Sequence, residues 1–160
     1  MPTAASHVWR PSSARAVVLD SFVPVPRGST ATAPRPLAWP VKDPADVLDY
    51  VFDISAALTG NDGDSIAELD VEIGPNHPGD LTLDSAAADG ATAVLWLSGG
   101  AAGTTYMVTI SIVTTNGRTL SRTVLLPVVT LSTPPVPPGA IETNTGAALT
   151  DQNGNPVLIL

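Results

Sequence analysis

Cysteine is absent from this 160-residue sequence. Its absence excludes a disulfide framework, a thiolate metal site and a cysteine nucleophile. Histidine is nearly absent, with only His7 and His77, so the commonest general base and metal ligand is in short supply. Long apolar runs are also missing. The longest, near Ala93–Leu97 and Val124–Leu131, fall far short of the roughly 18 residues that a membrane span needs. Met1–Pro11 lacks the basic-then-apolar layout of a secretory signal, so the expectation is a chain that is not exported. Aromatic residues are few: three Trp, two Tyr and two Phe.

Acid is abundant, and it is unevenly placed. The formal charge of −8 separates into blocks of opposite sign. Residues 1–42 carry Arg10, Arg15, Arg27, Arg35 and Lys42 against the single acid Asp20. From Asp43 to Asp89 there are twelve acids and no Lys or Arg. Charge asymmetry of this kind marks parts with separate surfaces. Composition changes at the same boundary. Residues 1–42 are rich in proline, including Val23-Pro24-Val25-Pro26 and Pro34-Arg35-Pro36, which favours extended backbone without a core of its own. Residues 134–138 read Pro-Pro-Val-Pro-Pro, a semi-rigid spacer. The expected organisation is an extended basic arm over 1–42, a domain over 43–131, and a Pro-rich spacer with an apolar tail over 132–160.

Within the domain, apolar residues recur with a period of two. Leu48, Tyr50, Phe52 and Ile54 share one face, with Asp49 and Asp53 on the other. Ala67, Leu69, Val71 and Ile73 alternate with Glu68, Asp70 and Glu72. Such alternation predicts strands with one buried and one solvated face. Tyr106, Val108, Ile110 and Ile112 alternate in the same way. The Thr115-Asn116-Gly117-Arg118 turn then predicts a hairpin of type I′ into a strand over Thr119–Val128. Shorter strands fit Asp80–Asp84 and Thr92–Leu97. No stretch has a 3.6-residue period.

Six or seven short strands in about 90 residues predict an all-β sandwich. Tyr106 enters a late strand after Gly103-Thr104-Thr105, which resembles the tyrosine corner of immunoglobulin-like folds. The fold class expected is therefore an all-β, immunoglobulin-like β-sandwich with an extended arm and tail, and Trp96 is the expected core aromatic.

Catalytic patterns are not found. His7 and His77 lie in loop-like sequence without a paired nucleophile or spaced ligands. Gly99-Gly100-Ala101-Ala102-Gly103 joins two strands rather than opening a helix, so it reads as a turn and not a phosphate cradle. Asp43, Asp46 and Asp49, with Asn61-Asp62-Gly63-Asp64, offer oxygen ligands of the kind calcium takes. The same residues are also what turns are made of, and a solvated acidic face is the favoured reading. No cofactor is expected. The acidic domain lacks a basic stripe with interleaved aromatics, which argues against nucleic acid; the arm arginines fit a protein partner better.

The tail from Ala147 to Leu160 reads as a small hairpin around Asp151-Gln152-Asn153-Gly154, ending in Val157-Leu158-Ile159-Leu160. An apolar strand of this kind, left exposed, invites cover by another chain. Arg10, Arg15, Arg27 and Arg35 in the arm, with Val157, Leu158, Ile159 and Leu160 in the tail, are the candidate interaction residues. Two roles suit a small sandwich with such extensions: a part held in an assembly by its tails, or a carbohydrate-binding module. The last would need an exposed platform from Trp9, Trp39, Trp96, Tyr50 and Tyr106.

Several blocks carry a resemblance. Lys42-Asp43-Pro44-Ala45-Asp46-Val47-Leu48-Asp49-Tyr50 leads into Val51-Phe52-Asp53-Ile54-Ser55, and Leu81-Thr82-Leu83 follows. Then comes Ala93-Val94-Leu95-Trp96-Leu97-Ser98-Gly99-Gly100-Ala101-Ala102-Gly103-Thr104-Thr105-Tyr106, with the Thr115–Arg118 turn and Arg122. Over roughly residues 42–126 these are similar to the fiber-tail adaptor proteins of tailed bacteriophages, with Ile54 standing where family members often carry Trp. The resemblance implies a non-enzymatic virion component that joins tail, baseplate or neck to fibres through an immunoglobulin-like module. It would act as a homo-oligomeric ring among other virion proteins, assembled in the host bacterial cytoplasm, with a capsid decoration protein as the alternative virion role.

Overall fold

The computed structural model describes residues 11–19, 35–132, 138–143 and 148–159. The chain divides into two compact units, Met1–Val129 and Thr130–Leu160. In the first unit the strands are β1 (Ala16–Val18), β2 (Leu37–Ala38), β3 (Val47–Asp53), β4 (Ile66–Gly74), β5 (Leu81–Asp89), β6 (Thr92–Gly99), β7 (Thr104–Thr114) and β8 (Thr119–Val128). They form two four-stranded sheets, in spatial order β1-β3-β6-β5 and β2-β8-β7-β4. The described residues contain no α-helix, and the all-β sandwich expected from the alternation is what forms.

The inward faces follow the period of two. Tyr50, Phe52 and Ile54 from the β3 segment, with Ala93, Leu95 and Leu97 from β6, pack against the other sheet. That sheet contributes Tyr106, Val108, Ile110 and Ile112 from β7 and Val124, Leu126 and Val128 from β8. Each large apolar side chain enclosed in this way contributes roughly 1.5–3 kcal/mol. Outward on the second sheet, hydroxyls pair across strands: Thr109 with Thr123 at 2.9 Å and Ser111 with Ser121 at 3.0 Å.

Four expectations need correction. Trp96 is only partly buried, and the enclosed aromatics are Trp39, Tyr50, Phe52 and Tyr106. Asp49 is buried although it faces away from the core, because the arm covers it. A register shift between Ile66 and Glu68 brings Ile66 against the core and leaves Ala67 exposed; a bulge of this kind moves one residue across the pleat. The turn at Thr115–Gly117 is a hairpin, but not of type I′. Gly117 alone has positive φ, and Thr114 both donates to Arg118 O and accepts from Gly117 N–H. This is a three-residue connection in which glycine takes the left-handed position.

β5 runs to Asp89, five residues beyond the expected end. Its Ser-Ala-Ala-Ala segment has no alternation, and pairing with β6 through a two-residue Gly90-Ala91 turn imposes the strand.

Two segments of the Pro-rich arm add to the sandwich edges. β1 pairs parallel to β3, and β2 pairs parallel to β8. Trp39 follows β2 directly and is enclosed in the core, with its indole N–H donating to Val51 O at 3.0 Å and its ring 5.2 Å from that of Tyr50.

In the second unit three short segments join by isolated antiparallel bridges: Ala140 with Leu158, Glu142 with Ala148, and Thr150 with Pro156. Their backbone bonds close a loop: Ile141 N–H donates to Val157 O, Val157 N–H to Leu149 O, and Leu149 N–H to Ile141 O. The expected hairpin around Asp151–Gly154 is present, and the segment at Gly139–Glu142 is a third member that the sequence pattern did not reveal.

Candidate functional site

The chemistry-bearing side chains are spent on holding loops and the arm in place. Asp80 accepts from the backbone N–H of His77 at 2.6 Å, lies 3.0 Å from His77 Nδ1, and accepts from the Tyr106 hydroxyl at 2.7 Å. The same hydroxyl accepts from Ala101 N–H at 2.8 Å, five residues upstream. The Tyr106 hydroxyl and the His77 N–H hold the Asp80 carboxyl below its ordinary range, while burial raises the Tyr106 phenol. His77 is exposed, and its neighbour Asp80 organises a turn.

The Gly-rich connection between β6 and β7 packs on the same tyrosine. Gly100 has φ +101°, and a Cβ there would lie 3.0 Å from Val128 and 3.3 Å from the Tyr106 ring. Glycine is needed here both for the backbone conformation and for the close approach.

The oxygen-rich turn at Asn61–Asp64 is a clamp. Asp64 has no exposed side-chain surface. It accepts from Ser65 N–H, the Thr114 and Thr115 hydroxyls, Asn116 N–H and the Arg118 guanidinium. A carboxylate with its lone pairs filled by protein donors, one of them cationic, is a poor place for a metal ion. Burial works to raise the Asp64 carboxyl, but the Asn116, Thr115, Thr114 and Arg118 donors outweigh it and hold the group at about 2.

The arm is fixed at three points. Asp49 accepts from Ser12 N–H at 2.7 Å and from the Arg15 guanidinium, and Arg15 Nε donates to Asp49 O at 2.7 Å. Burial opposes ionisation of Asp49, and these donors reverse that, leaving the carboxyl lowered. Trp39 is the second point. Lys42 is the third: its fully buried ammonium donates to Asp43 O and Gly99 O, each at 2.8 Å. Burial lowers the Lys42 pKa, offset in part by Asp46, Asp43 and Asp84.

Of the candidate interaction residues, Arg15 is engaged with Asp49 inside its own unit, while Arg35 is exposed. Arg35 and Arg122 line one groove with Val18 and Leu37, between β1 and β2. In the second unit Leu158 and Ile159 are exposed and Val157 is half-buried. Arg10, Arg27 and Leu160 lie outside the described residues, as do His7 and Trp9. Trp39, Tyr50 and Tyr106 are enclosed, which removes three of the five aromatics that a carbohydrate platform would use.

Residues 42–127 match the family described as Gp77, podophage GP4 fiber-tail adaptor protein gp77. The matched segment begins at the buried Lys42 and ends one residue before the close of β8. No curated protein matches the chain.

Proposed function

The chain belongs to the podophage GP4 fiber-tail adaptor family, and from that premise we propose that it is a virion component joining tail, baseplate or neck to fibres. The joining is by protein contact. The single observation that carries this reading is the family match over 42–127, which spans both sheets of the sandwich except the arm segments before Lys42. The side chains fit it: every buried carboxylate described above holds a loop or the arm, and the exposed His77 is tied to a turn-forming Asp80. No catalytic role is read for them.

An immunoglobulin-like module is supported by strand order. Sheets running β3-β6-β5 and β8-β7-β4, with arm strands added beside β3 and β8, follow the two-sheet order of that class. We read the arm and the 138–159 unit as the parts that meet other virion proteins and further copies in a symmetric ring, with assembly in the host bacterial cytoplasm. Exposed Leu158 and Ile159 support this for the tail.

Labelling the chain in purified particles and imaging them tests the reading. Label at the tail near the fibres is expected; label over the capsid shell would overturn it in favour of a decoration protein. Deleting Gly139–Leu160 should abolish incorporation into particles while the sandwich stays folded.

A further inference from the structure

The structure describes four arginines, and they divide into two pairs. Arg15 and Arg118 are consumed by Asp49 and Asp64. Arg35 and Arg122 have no carboxylate in ion-pair contact among the described residues, and both line the groove between β1 and β2. The rest of its described lining is apolar, with Val18 and Leu37 in the wall, and no acid is among the described residues that line it. Two uncompensated cations on one apolar groove call for an anionic occupant.

The matching anions lie on the same molecule, at the far edge. Strand β4 closes the second sheet at the end opposite β2. Its outward side carries Glu68, Asp70 and Glu72, all exposed and none with a cation partner among the described residues. Three carboxylates on alternate positions of one strand form a straight column with a spacing of about 7 Å.

We propose that the β4 column of one copy docks on the Arg35–Arg122 groove of the next. The occupant is thus a second copy of this chain. Charge complementarity selects it over symmetric alternatives, because column against column or groove against groove would set like charges face to face. Groove and column sit on opposite edges, so the contact is head-to-tail and a joined pair keeps one free groove and one free column. Repetition of such a contact closes a ring or extends a filament. The inference supplies the contact for the ring reading above, but its test is made in solution and does not depend on the chain's place in a virion.

The experiment uses the full chain and two charge-swapped variants, Arg35→Glu with Arg122→Glu, and Glu68→Lys with Asp70→Lys and Glu72→Lys. Self-association is followed by sedimentation velocity at low and high salt, with circular dichroism as the folding check. Each variant alone should associate about 100-fold more weakly than the wild-type chain, from like-charge apposition at the contact. An equimolar mixture of the two should recover association, because each variant then offers the surface that the other lacks. If a swap fails to fold, neutral versions (Arg35→Gln with Arg122→Gln, and Glu68→Gln with Asp70→Asn and Glu72→Gln) read the same contact through a smaller loss. A wild-type chain that stays monomeric, variants that associate unchanged, or a mixture that does not recover would each overturn the proposal.

Discussion

Arg118 reaches Asp64 at 2.6 Å across 54 residues of sequence, and its second nitrogen takes Asn61 Oδ1 at the same distance. This pair ties the β7–β8 hairpin to the loop that leads into β4. Its energetic weight lies in the hydrogen bonds around the carboxylate more than in the ion pair, since Arg118 is half exposed to water.

The pH dependence of stability follows from that carboxylate. It titrates at about 2 in the fold against 3.8 for an ordinary aspartate, so folding favours the charged form. The stabilisation is complete above about pH 4 and is lost as pH falls through about 2. Urea titrations across this window should show falling stability in the wild-type chain. Asp64→Asn should flatten the profile there and lower stability at neutral pH.

Tyr106→Phe deletes one hydroxyl that serves two partners, Asp80 and Ala101 N–H. The expected loss is about 1–3 kcal/mol by chemical denaturation. The Asp80 carboxyl should rise toward its ordinary value, as followed by carboxyl NMR titration. A loss without that rise would mean that the ring's position, not the hydroxyl, carries the effect.

Tyr50 is the opposite case. Its hydroxyl is buried without a partner among the described residues, and burial pushes the phenol up to about 12. Tyr50→Phe should leave stability unchanged or raise it by about 1 kcal/mol, because an unpaired polar group is removed at constant shape. Thermal melting of the two chains side by side decides this.

Trp39 anchors the arm, so Trp39→Ala should cost about 3–5 kcal/mol. Hydrogen exchange should show the β2 amides losing protection first, and in particular the backbone N–H at position 39, which bonds Leu125 O in the wild-type chain. Equal loss of protection across β7 would instead place Trp39 in the cooperative centre of the sandwich.

The strands of the sandwich were legible because alternation of Tyr50, Phe52 and Ile54, or of Val108, Ile110 and Ile112, is a strong local signal. Pairing partners were not. Nothing in Ala16-Val17-Val18 or Leu37-Ala38 marks a strand, since each becomes one only beside β3 or β8. Trp39 lay in proline-rich sequence, which hid its place in the core, and Trp96 lost that place because it shares the outward side of its strand with Val94. The Asp64 clamp showed as an oxygen-rich turn; all its donors but Ser65 N–H come from a hairpin fifty residues away, and no local pattern could supply those. The Arg35–Arg122 groove was half visible, as one arginine of a basic arm.

The parallel pairing of the arm with β8 has a mechanical consequence. Trp39 N–H bonds Leu125 O, Lys42 N–H bonds Pro127 O, and Val129 N–H bonds Lys42 O along one ladder. A pull applied before β2 and after β8 draws two parallel strands past each other, so these bonds bear the load together and do not peel one at a time. Tension along the chain therefore meets its stiffest direction where the arm leaves the sandwich.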